Sequence, residues 1–370
     1  MQSPSGARGK RTREIVITRE LKLKLTKKQE NTLNEWLWTL SGVFNWGIRK
    51  IKQDAKDKIF YSKKTFQNLL ADHGKKMGIP SHTIQGILIQ VWTSWDRCFK
   101  KKSKEPHLKS VMNKLKSIPF PDAIPLSRVT AKTIRIPTIG ELKYFKQEIP
   151  EGKIKCARIV KKISGWYLQI TLDADHTFQV KETEDKIGID TGFKHLAILS
   201  NGKKYSNQRN FIKYQKRLAQ SQRGKNKKLS ARIHERIANR RKDHNHKVSK
   251  EIVQNYSEIY VTNDNLRGQS KIFGKSVSDA GISQLRSFIL YKSGNHGRKC
   301  ELVNSKNTTK TCGECWSLTG PTGLDMLHVR VWECGACGAL LDRDINSSNV
   351  ILKLGLGYNL VNLESSVGAR

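Results

Sequence analysis

The chain has 370 residues, and 69 lysines and arginines against 32 aspartates and glutamates give it a formal net charge of +37. A compact protein with this charge would repel itself unless a polyanion neutralised it, and eight tryptophans argue against a disordered basic tail. No long apolar run, secretory signal or lipidation signal points to a membrane. We therefore expect a folded nucleic-acid-binding protein of two or three domains.

The first part of the chain is predicted to combine a β domain with a helical insertion. Alternating apolar residues indicate a strand over residues 15–25. Antiparallel strands are indicated again from about residue 130, and we expect the first strand to join them in space. This pattern predicts a β domain of residues 1–25 and 118–182, which encloses a helical domain of residues 26–117.

Two strong helices are predicted within the insertion. Apolar residues at helical spacing follow Thr26 and, later, Pro80, with Thr26 and Ser81 as the expected N-caps. The second helix ends in a basic cluster that could contact phosphates or simply be solvated: Lys100, Lys101 and Lys102.

The second part of the chain opens like a ribonuclease-H-like sheet. Residues 187–190 form a buried apolar run that ends in Asp190, and a second run leads to the turn Asn201-Gly202. We assign residues 183–303 and 340–370 to this domain. An aspartate can merely end a strand, so Asp190 becomes a candidate site residue because a second acidic motif, with Asp344, follows later.

A long basic segment over residues 210–255 is predicted to form a hairpin of two helices, broken near Gly224. Its basic residues recur at three- and four-residue spacing and have almost no glutamates to balance them, which favours contact with a phosphate backbone over a solvated face. The candidate contacts are Lys213, Lys216, Arg217, Arg223, Lys225, Lys227, Lys228, Arg232, Arg236, Arg240, Arg241 and Lys247.

Four cysteines are spaced as two metal-binding knuckles within residues 304–339. Two Cys-x-x-Cys pairs separated by a loop of this length can hold Zn²⁺ with four thiolates, which is typical of a structural site. The pairs are Cys312 with Cys315 and Cys334 with Cys337, and we expect Gly313 and Gly335 to give the knuckles their backbone freedom. The other three cysteines show no pairing pattern, so a reducing, bacterial-type cytoplasm with nucleoid association is expected.

Together these motifs resemble the TnpB family of transposon-encoded, RNA-guided nucleases, which are relatives of the type V CRISPR effectors. The resemblance rests on residues 25–29, 44–46, 187–192, 234–241, 246–247, 308–312 and 342–346. It implies an α/β multidomain protein: an RNase H-like RuvC domain with an inserted zinc ribbon, and an N-terminal antiparallel β (wedge) domain with a helical recognition insertion. It also implies guide RNA and double-stranded DNA with a short adjacent motif as partners. A monomer is favoured.

The resemblance implies three catalytic carboxylates, which would hold two divalent ions about 4 Å apart. Asp190 and Asp344 match the first and third of these acids. Aligning residues 265–268 on the family's second motif places its glutamate at Thr262, which carries no charge. The family's alternative position for this acid falls at Ser305, which leaves Asp264 and Glu301 as the nearest substitutes.

Three functions follow from these residues. The favoured one is a guide-RNA-dependent DNA-binding protein with a degenerate RuvC site, resembling the nuclease-dead TnpB-like proteins that act as transcriptional repressors. The second is an active RNA-guided endonuclease that uses Mg²⁺ and a substitute carboxylate. The third is a zinc-ribbon nucleic-acid-binding protein without a guide, which would leave the Asp190 motif and the N-terminal signature unexplained.

Overall fold

The computed structural model describes residues 16–122, 128–136, 138–150, 152–173, 179–323, 325–326 and 328–358, apart from the side chain of residue 75. Parts of the predicted segments lie outside these ranges, notably residues 1–15 of the β domain and 359–370 of the RuvC-like domain. The chain divides into two compact units, Met1–His176 and Thr177–Arg370. Within the described ranges, the helices are all too short or too polar to span a bilayer.

The first unit contains a six-stranded antiparallel sheet. Its strands are β1 (Val16–Lys24), β2 (Ser117–Phe120), β3 (Thr133–Ile136), β4 (Gly140–Tyr144), β5 (Lys153–Lys162) and β6 (Gly165–Asp173), in the spatial order β2-β5-β6-β1-β4-β3. The predicted union of the N-terminal strand with the later strands is confirmed, because β1 pairs with both β6 and β4. On β1, Leu21 and Leu23 are buried while Lys22 and Lys24 are exposed, as period-two alternation requires.

Four helices lie between β1 and β2 in the chain: α1 (Lys27–Lys56), α2 (Lys63–Gln67), α3 (His73–Met77) and α4 (Ser81–Phe99). Thr26 caps α1 as predicted and forms a capping box with Gln29. The predicted cap of α4 is wrong, since the helix begins at Ser81 itself and Pro80 precedes it without a side-chain cap. The apolar faces of α1 and α4 join the sheet in one hydrophobic core.

The second unit contains a five-stranded mixed sheet. Its strands are β7 (Lys186–Asp190), β8 (His195–Leu199), β9 (Lys204–Ser206), β10 (Glu258–Thr262) and β11 (Lys299–Val303), in the order β11-β10-β7-β8-β9. β8 is antiparallel to both of its neighbours, β7 and β9, whereas β10 is parallel to both β7 and β11. A separate two-stranded ribbon pairs β12 (Val331–Glu333) with β13 (Leu340–Asp342).

The helices of this unit are α5 (Asn210–Arg223), α6 (Lys227–Asn255), α7 (Leu266–Ala280), α8 (Ile282–Asn295) and α9 (Arg343–Gly355). Apolar residues of α6 and α8 pack with Ile187 and Ile189 of β7, on one face of the sheet. Because side chains alternate along a strand, Gly188 belongs to the opposite face, which α9 covers. A Cβ atom on Gly188 would lie 2.1 Å from the Ser348 carbonyl oxygen, so only glycine lets α9 approach β7 this closely.

Candidate functional site

Three aspartates come together at one edge of the second unit's sheet. Asp190 is the last residue of β7, and Asp264 follows the end of β10 by two residues. Since β7 and β10 are parallel neighbours, the carboxyl ends of both strands meet at this edge. α9 packs on β7 and carries Asp344 in its first turn. The fold therefore brings Asp190 and Asp344, which are far apart in sequence, into one acidic centre.

The environment of Asp190 disfavours its charged form. Burial, together with the negative charges of Asp264 and Asp344, raises the pKa of Asp190 to about 7. Hydrogen bonds from the Thr191 backbone N–H and from the Ser347 side chain oppose this rise without cancelling it. Asp190 is therefore partly protonated near neutral pH, as expected for a buried carboxyl group with like charges nearby.

Thr262 occupies the position at which the resemblance places a glutamate, and a buried arginine lies beside it. The Thr262 side chain is 1% exposed, and its Oγ1 atom is 2.9 Å from Oγ1 of Thr191. Arg286 of α8 is 6% exposed, and its Nη2 atom lies 3.0 Å from Thr191 Oγ1 and 3.4 Å from Thr262 Oγ1. A fixed positive charge thus contacts the residue that replaces the expected carboxylate.

The same guanidinium engages Asp264, the nearest substitute acid. Arg286 Nη2 lies 2.6 Å from Asp264 Oδ2, and Nη1 donates to the Asp264 backbone carbonyl at 3.3 Å. Both side chains are largely buried, with exposed fractions of 8% and 14%. Burial lowers the pKa of Arg286, and the Asp264 and Asp190 charges counter that effect, so the guanidinium stays protonated.

The other two alternative positions for the third acid are poorly placed. Glu301 lies on β11 with a side chain 54% exposed, 3.5 Å from the ammonium of Lys299. Ser305 is half-buried beyond the end of β11, where its backbone carbonyl accepts hydrogen bonds from Thr308. Neither residue supplies a buried carboxylate to the acidic centre.

Asp344 lies in the first turn of α9 but does not cap the helix. The N-cap of α9 is Asp342, whose Oδ1 accepts from the backbone N–H groups of Asp344 and Ile345 at 3.0 and 3.1 Å. The Asp344 carboxylate lies 3.7 Å from the guanidinium of Arg330. The capping role therefore belongs to Asp342, and the Asp344 carboxylate is not used for it.

The three aspartates do not form a compact ligand cluster for a single ion. Within the described ranges, the one group of three or more His, Cys, Asp or Glu ligand atoms that lie within 4.8 Å of one another consists of cysteines. Asp190, Asp264 and Asp344 do not converge to that extent. Two-metal chemistry needs carboxylates that bridge both ions, and here one carboxylate is paired with Arg286.

The four cysteines predicted to bind metal do converge. Sγ of Cys312 lies 3.8 Å from that of Cys337, and Sγ of Cys315 lies 3.6 Å from that of Cys334. Zn–S bonds of about 2.3 Å in a tetrahedron require S···S separations of roughly 3.8 Å. The cluster could therefore bind a metal ion such as zinc, with all four positions filled by protein.

Side chains around the cysteines support such a site. Ser317 Oγ lies 3.1 Å from Cys315 Sγ and 3.2 Å from Cys334 Sγ, and Thr319 Oγ1 lies 3.2 Å from Cys334 Sγ. Burial alone would raise the pKa of Cys334, but these hydroxyls and two backbone N–H groups lower it to about 5. Hydrogen bonds thus stabilise the thiolate form of Cys334, and the thiolate is the form that ligates metal.

Asn346 links the cysteine cluster to α9, a role that sequence analysis missed. Its Oδ1 accepts from the Gly313 backbone N–H at 2.7 Å, and its Nδ2 donates to the Thr311 carbonyl at 2.8 Å. A Cβ atom on Gly313 would lie 2.8 Å from Asn346 Oδ1. The reason expected for Gly313 and Gly335 is therefore wrong, because neither has a positive φ, and close approach explains Gly313.

The basic hairpin forms as predicted, with Gly224 as the C-cap of α5 and α6 beginning at Lys227. Its candidate phosphate contacts are exposed except for Arg241, which is half-buried and donates to the Ser278 carbonyl. Within the hairpin, Lys247 lies 2.8 Å from Asp243. In the basic cluster after α4, Lys100 lies 2.9 Å from Asp96. The remaining side chains leave the hairpin strongly positive.

Arg286 was also missed from sequence, although a signal for it exists. The residue adjoins the buried stripe Ile282, Leu285 and Ile289 of α8. A basic residue in such a stripe predicts a buried acidic partner. The sequence could not say which acid this partner is.

The sequence matches two protein-family models and is similar to proteins with an assigned name. The family model OrfB_IS605, described as "Probable transposase", matches residues 169–272, and the model "Cas12f1-like, TNB domain" matches residues 283–351. A Streptomyces pristinaespiralis protein named RNA-guided DNA endonuclease is 29% identical over 300 residues, covering 75% of this chain and 72% of the relative. The RNA-guided DNA endonuclease InsQ of Escherichia coli K12 is 24% identical over 305 residues, covering 75% of each.

Solved structures give weaker likenesses. A cryo-EM structure of a Cas12f1–sgRNA–target DNA complex aligns with a TM-score of 0.38 and 15% identity, covering 91% of this chain and 99% of that one. A CRISPR-Cas12f ternary complex aligns with a TM-score of 0.37 and 13% identity, covering 89% and 85%. These sequence matches confirm the resemblance to TnpB/IS605 transposon proteins and place a Cas12f1-like TNB match at residues 283–351.

Proposed function

We propose that this protein is a guide-RNA-dependent, sequence-specific DNA-binding protein that does not cut its target. The observation that carries the proposal is the contact of Arg286 with Thr262 and Asp264. The relatives are named RNA-guided DNA endonucleases, so a guide RNA and a DNA target are the partners that the family suggests. This chain departs from the pattern that the resemblance implies at the acidic centre, where Thr262 stands in place of a glutamate.

The loss of cleavage follows from charge and from ligand count. Magnesium is held by a few carboxylates and keeps strict octahedral geometry, so the absence of one acid is costly. Thr262 cannot replace a charged ligand, and Asp264 already forms a 2.6 Å ion pair with Arg286. The guanidinium also adds a positive charge that repels a divalent ion. Asp190 and Asp344 then remain as remnants of a RuvC-like centre.

The binding apparatus is retained in this proposal. The basic hairpin would track the phosphate backbone of the RNA or of the RNA–DNA heteroduplex, without reading its sequence. The cysteine cluster would hold one structural Zn²⁺ ion, which the contacts of Asn346 would couple to α9. The sheet and helices of the first unit would serve as the wedge and recognition domains, which read a short duplex motif beside the target.

Repression of transcription is the role we assign to such a protein. A complex that occupies a promoter without cutting it would exclude RNA polymerase, and it would work as a monomer in the bacterial cytoplasm, on the nucleoid. Guide pairing would then choose the repressed gene.

An active endonuclease is the second candidate, and one observation favours it. The charges of Asp264 and Asp344 both raise the pKa of Asp190, so three acids lie within electrostatic reach of one another. Asp264 could become the third ligand only by breaking its ion pair with Arg286. Mg²⁺ would be a cofactor only in this case.

Binding to matched and mismatched DNA tests the proposal. The protein is purified with its co-expressed guide RNA, and the dissociation constant is measured for a matched duplex and for one mismatched beside the adjacent motif. We expect a matched duplex to bind at least tenfold more tightly, because mismatches in that region abort heteroduplex formation. Equal affinity for both duplexes, or binding that is unchanged without RNA, would favour a guide-independent protein instead.

A further inference from the structure

A pocket of about 330 Å³ lies between the basic hairpin and α7 of the second unit. Its lining includes Phe211, His234, Ile237, Arg241, Lys275 and Asp279, none of which belongs to the acidic centre or to the cysteine cluster. The volume falls in the range of roughly 300–1,000 Å³ that is typical of pockets for small organic groups.

The apolar wall of the pocket is held in place by the hairpin itself. Phe211 lies near the start of α5 and packs against the cluster of Leu218, Ile233 and Ile237, which joins α5 to α6. Its backbone N–H donates to Asp279 Oδ1 of α7 at 2.8 Å. Asp279 is 7% exposed, so the contact fixes the start of α5 against the end of α7. The wall therefore presents a positioned aromatic ring.

Three basic side chains surround the same space. Arg241 is half-buried and donates to the Ser278 carbonyl, and its side chain crosses Gly281 so closely that a Cβ atom there would lie 2.6 Å from Arg241 Cδ. His234 and Lys275 are exposed at the rim. Among the residues that the structure describes, no carboxylate forms an ion pair with any of these three. The one acid in the lining, Asp279, accepts a hydrogen bond from the Phe211 backbone N–H.

An aromatic wall beside basic side chains that form no ion pair with a described residue matches the chemistry of a nucleotide. Bases stack on aromatic rings regardless of sequence, and phosphates bind arginine and lysine through charge-assisted hydrogen bonds. We propose that this pocket binds one unpaired nucleotide of a bound nucleic acid, with its base against Phe211 and its phosphate among His234, Arg241 and Lys275. The inference deepens the proposed function, on which it rests for the presence of a nucleic acid.

Mononucleotide binding by the full chain tests this site directly. Titration calorimetry at low salt measures the affinity of AMP, adenosine and inorganic phosphate. We expect AMP to bind most tightly, because it alone offers both a base and a phosphate. Lys275→Ala should weaken AMP binding about tenfold, whereas Lys271→Ala, which removes an equal charge from an exposed position of the same helix, should leave it within twofold.

A second variant separates stacking from charge attraction. Phe211→Leu keeps an apolar side chain in the hairpin core but removes the ring, so it should weaken AMP binding about tenfold and leave phosphate binding unchanged. A melting temperature close to that of the unaltered protein checks that the variant folds. Undetectable AMP binding, equal losses in Lys275→Ala and Lys271→Ala, or phosphate binding as tight as AMP binding would each overturn the proposal.

The source of the nucleotide is decided by comparing AMP with dAMP and by crosslinking. Tighter binding of AMP than of dAMP, with crosslinks from Phe211 to guide RNA, would assign the pocket to RNA. Equal affinity for AMP and dAMP, with crosslinks from Phe211 to target DNA, would assign it to a displaced DNA strand. Both results support a nucleotide pocket. This experiment is independent of target recognition, because guide-dependent DNA binding can fail while AMP still binds, and the reverse also holds.

Discussion

The Nη2 atom of Arg286 lies 2.6 Å from Oδ2 of Asp264 and 3.4 Å from Oγ1 of Thr262. The guanidinium of Arg286 thus contacts both Thr262 and Asp264. Thr262 stands where the resemblance implies a glutamate, and Asp264 is the nearest substitute acid. A buried guanidinium therefore neutralises the carboxylate that lies nearest to the expected position of the third acid. The contact places a buried positive charge beside the acidic centre.

Removal of Arg286 should destabilise the protein strongly. Arg286→Met leaves the largely buried Asp264 carboxylate without its partner, which costs about 3–5 kcal/mol. Urea unfolding measures the free energy of unfolding for this variant, for Asp264→Asn and for the double variant. We expect the double variant to recover most of the loss, because it removes the unpaired charge.

Arg330 provides a matched control for this ion pair. It is also an arginine near an aspartate of the centre, but its side chain is 52% exposed and lies 3.7 Å from Asp344. Arg330→Met should therefore cost no more than about 1 kcal/mol. Equal losses for Arg286→Met and Arg330→Met would contradict the buried pairing.

The raised pKa of Asp190 should appear in the pH dependence of stability. Its folded pKa of about 7 lies above the ordinary value of about 3.9, so the folded state holds this proton more tightly than the unfolded state. The resulting stabilisation is fully present below about pH 4 and is lost as the pH rises to 7, with an upper bound of about 4 kcal/mol. Asp190→Asn should remove this dependence and make the protein relatively more stable at pH 7.

Asp342 should show the opposite sign. Although burial favours its neutral form, hydrogen bonds from Lys204 and from the α9 backbone lower its pKa. Its contribution is present above the ordinary pKa and is lost as the pH falls through the lowered value. Asp342→Asn should therefore cost stability at pH 7, and a gain there instead would count against the assigned electrostatics.

Metal analysis should find one zinc ion per chain, bound by the four cysteines. Cys315→Ser should abolish zinc binding and lower the melting temperature, because structural zinc contributes directly to folding. Cys300→Ser is the matched control: burial raises the pKa of the Cys300 thiol to about 11, which disfavours the ligating thiolate. Zinc retained in Cys315→Ser, or lost in Cys300→Ser, would refute the assignment.

Binding of guide RNA should depend steeply on salt. Each lysine that contacts a single-stranded phosphate contributes about 0.7 to the slope of log K against log salt concentration. Replacing both Lys227 and Lys228 by alanine should reduce the slope by about 1.4 if both make such contacts. Lys186→Ala, which removes a lysine already 2.7 Å from Glu258, should leave the slope unchanged. A shallow slope in the unaltered protein would argue against the hairpin as the contact surface.

Local signals explain which parts of the fold could be predicted from sequence. The alternation of β1, the Thr26 capping box, the strand ending in Asp190 and the break at Gly224 all depend on neighbours within a few residues. The paired cysteine spacing predicted the cluster because each knuckle is local as well. The end of the predicted zinc ribbon at residue 339 was harder to predict. β13 (Leu340–Asp342) pairs with β12 and lies beyond that residue.

Long-range contacts explain what could not be predicted. Arg286 lies 95 residues from Thr191 and 22 from Asp264, and only the packing of α8 brings it beside them. Asn346 resembled part of an acidic motif, yet its contacts with Thr311 and Gly313 depend on how α9 meets the knuckle. In both cases the residue type indicated that a polar or charged partner exists. Only the fold shows which residue that partner is.

Cleavage of a matched double-stranded target by the purified protein–guide complex tests the central claim most directly. The assay is run in Mg²⁺ and in Mn²⁺, with target binding measured on the same samples and Asp190→Ala as the control. We predict tight guide-dependent binding with no cut product in either metal, and the same result for Asp190→Ala. A cut product that forms with the unaltered protein and disappears in Asp190→Ala would contradict the account, since it would mean that Asp264 or another acid completes a working metal site.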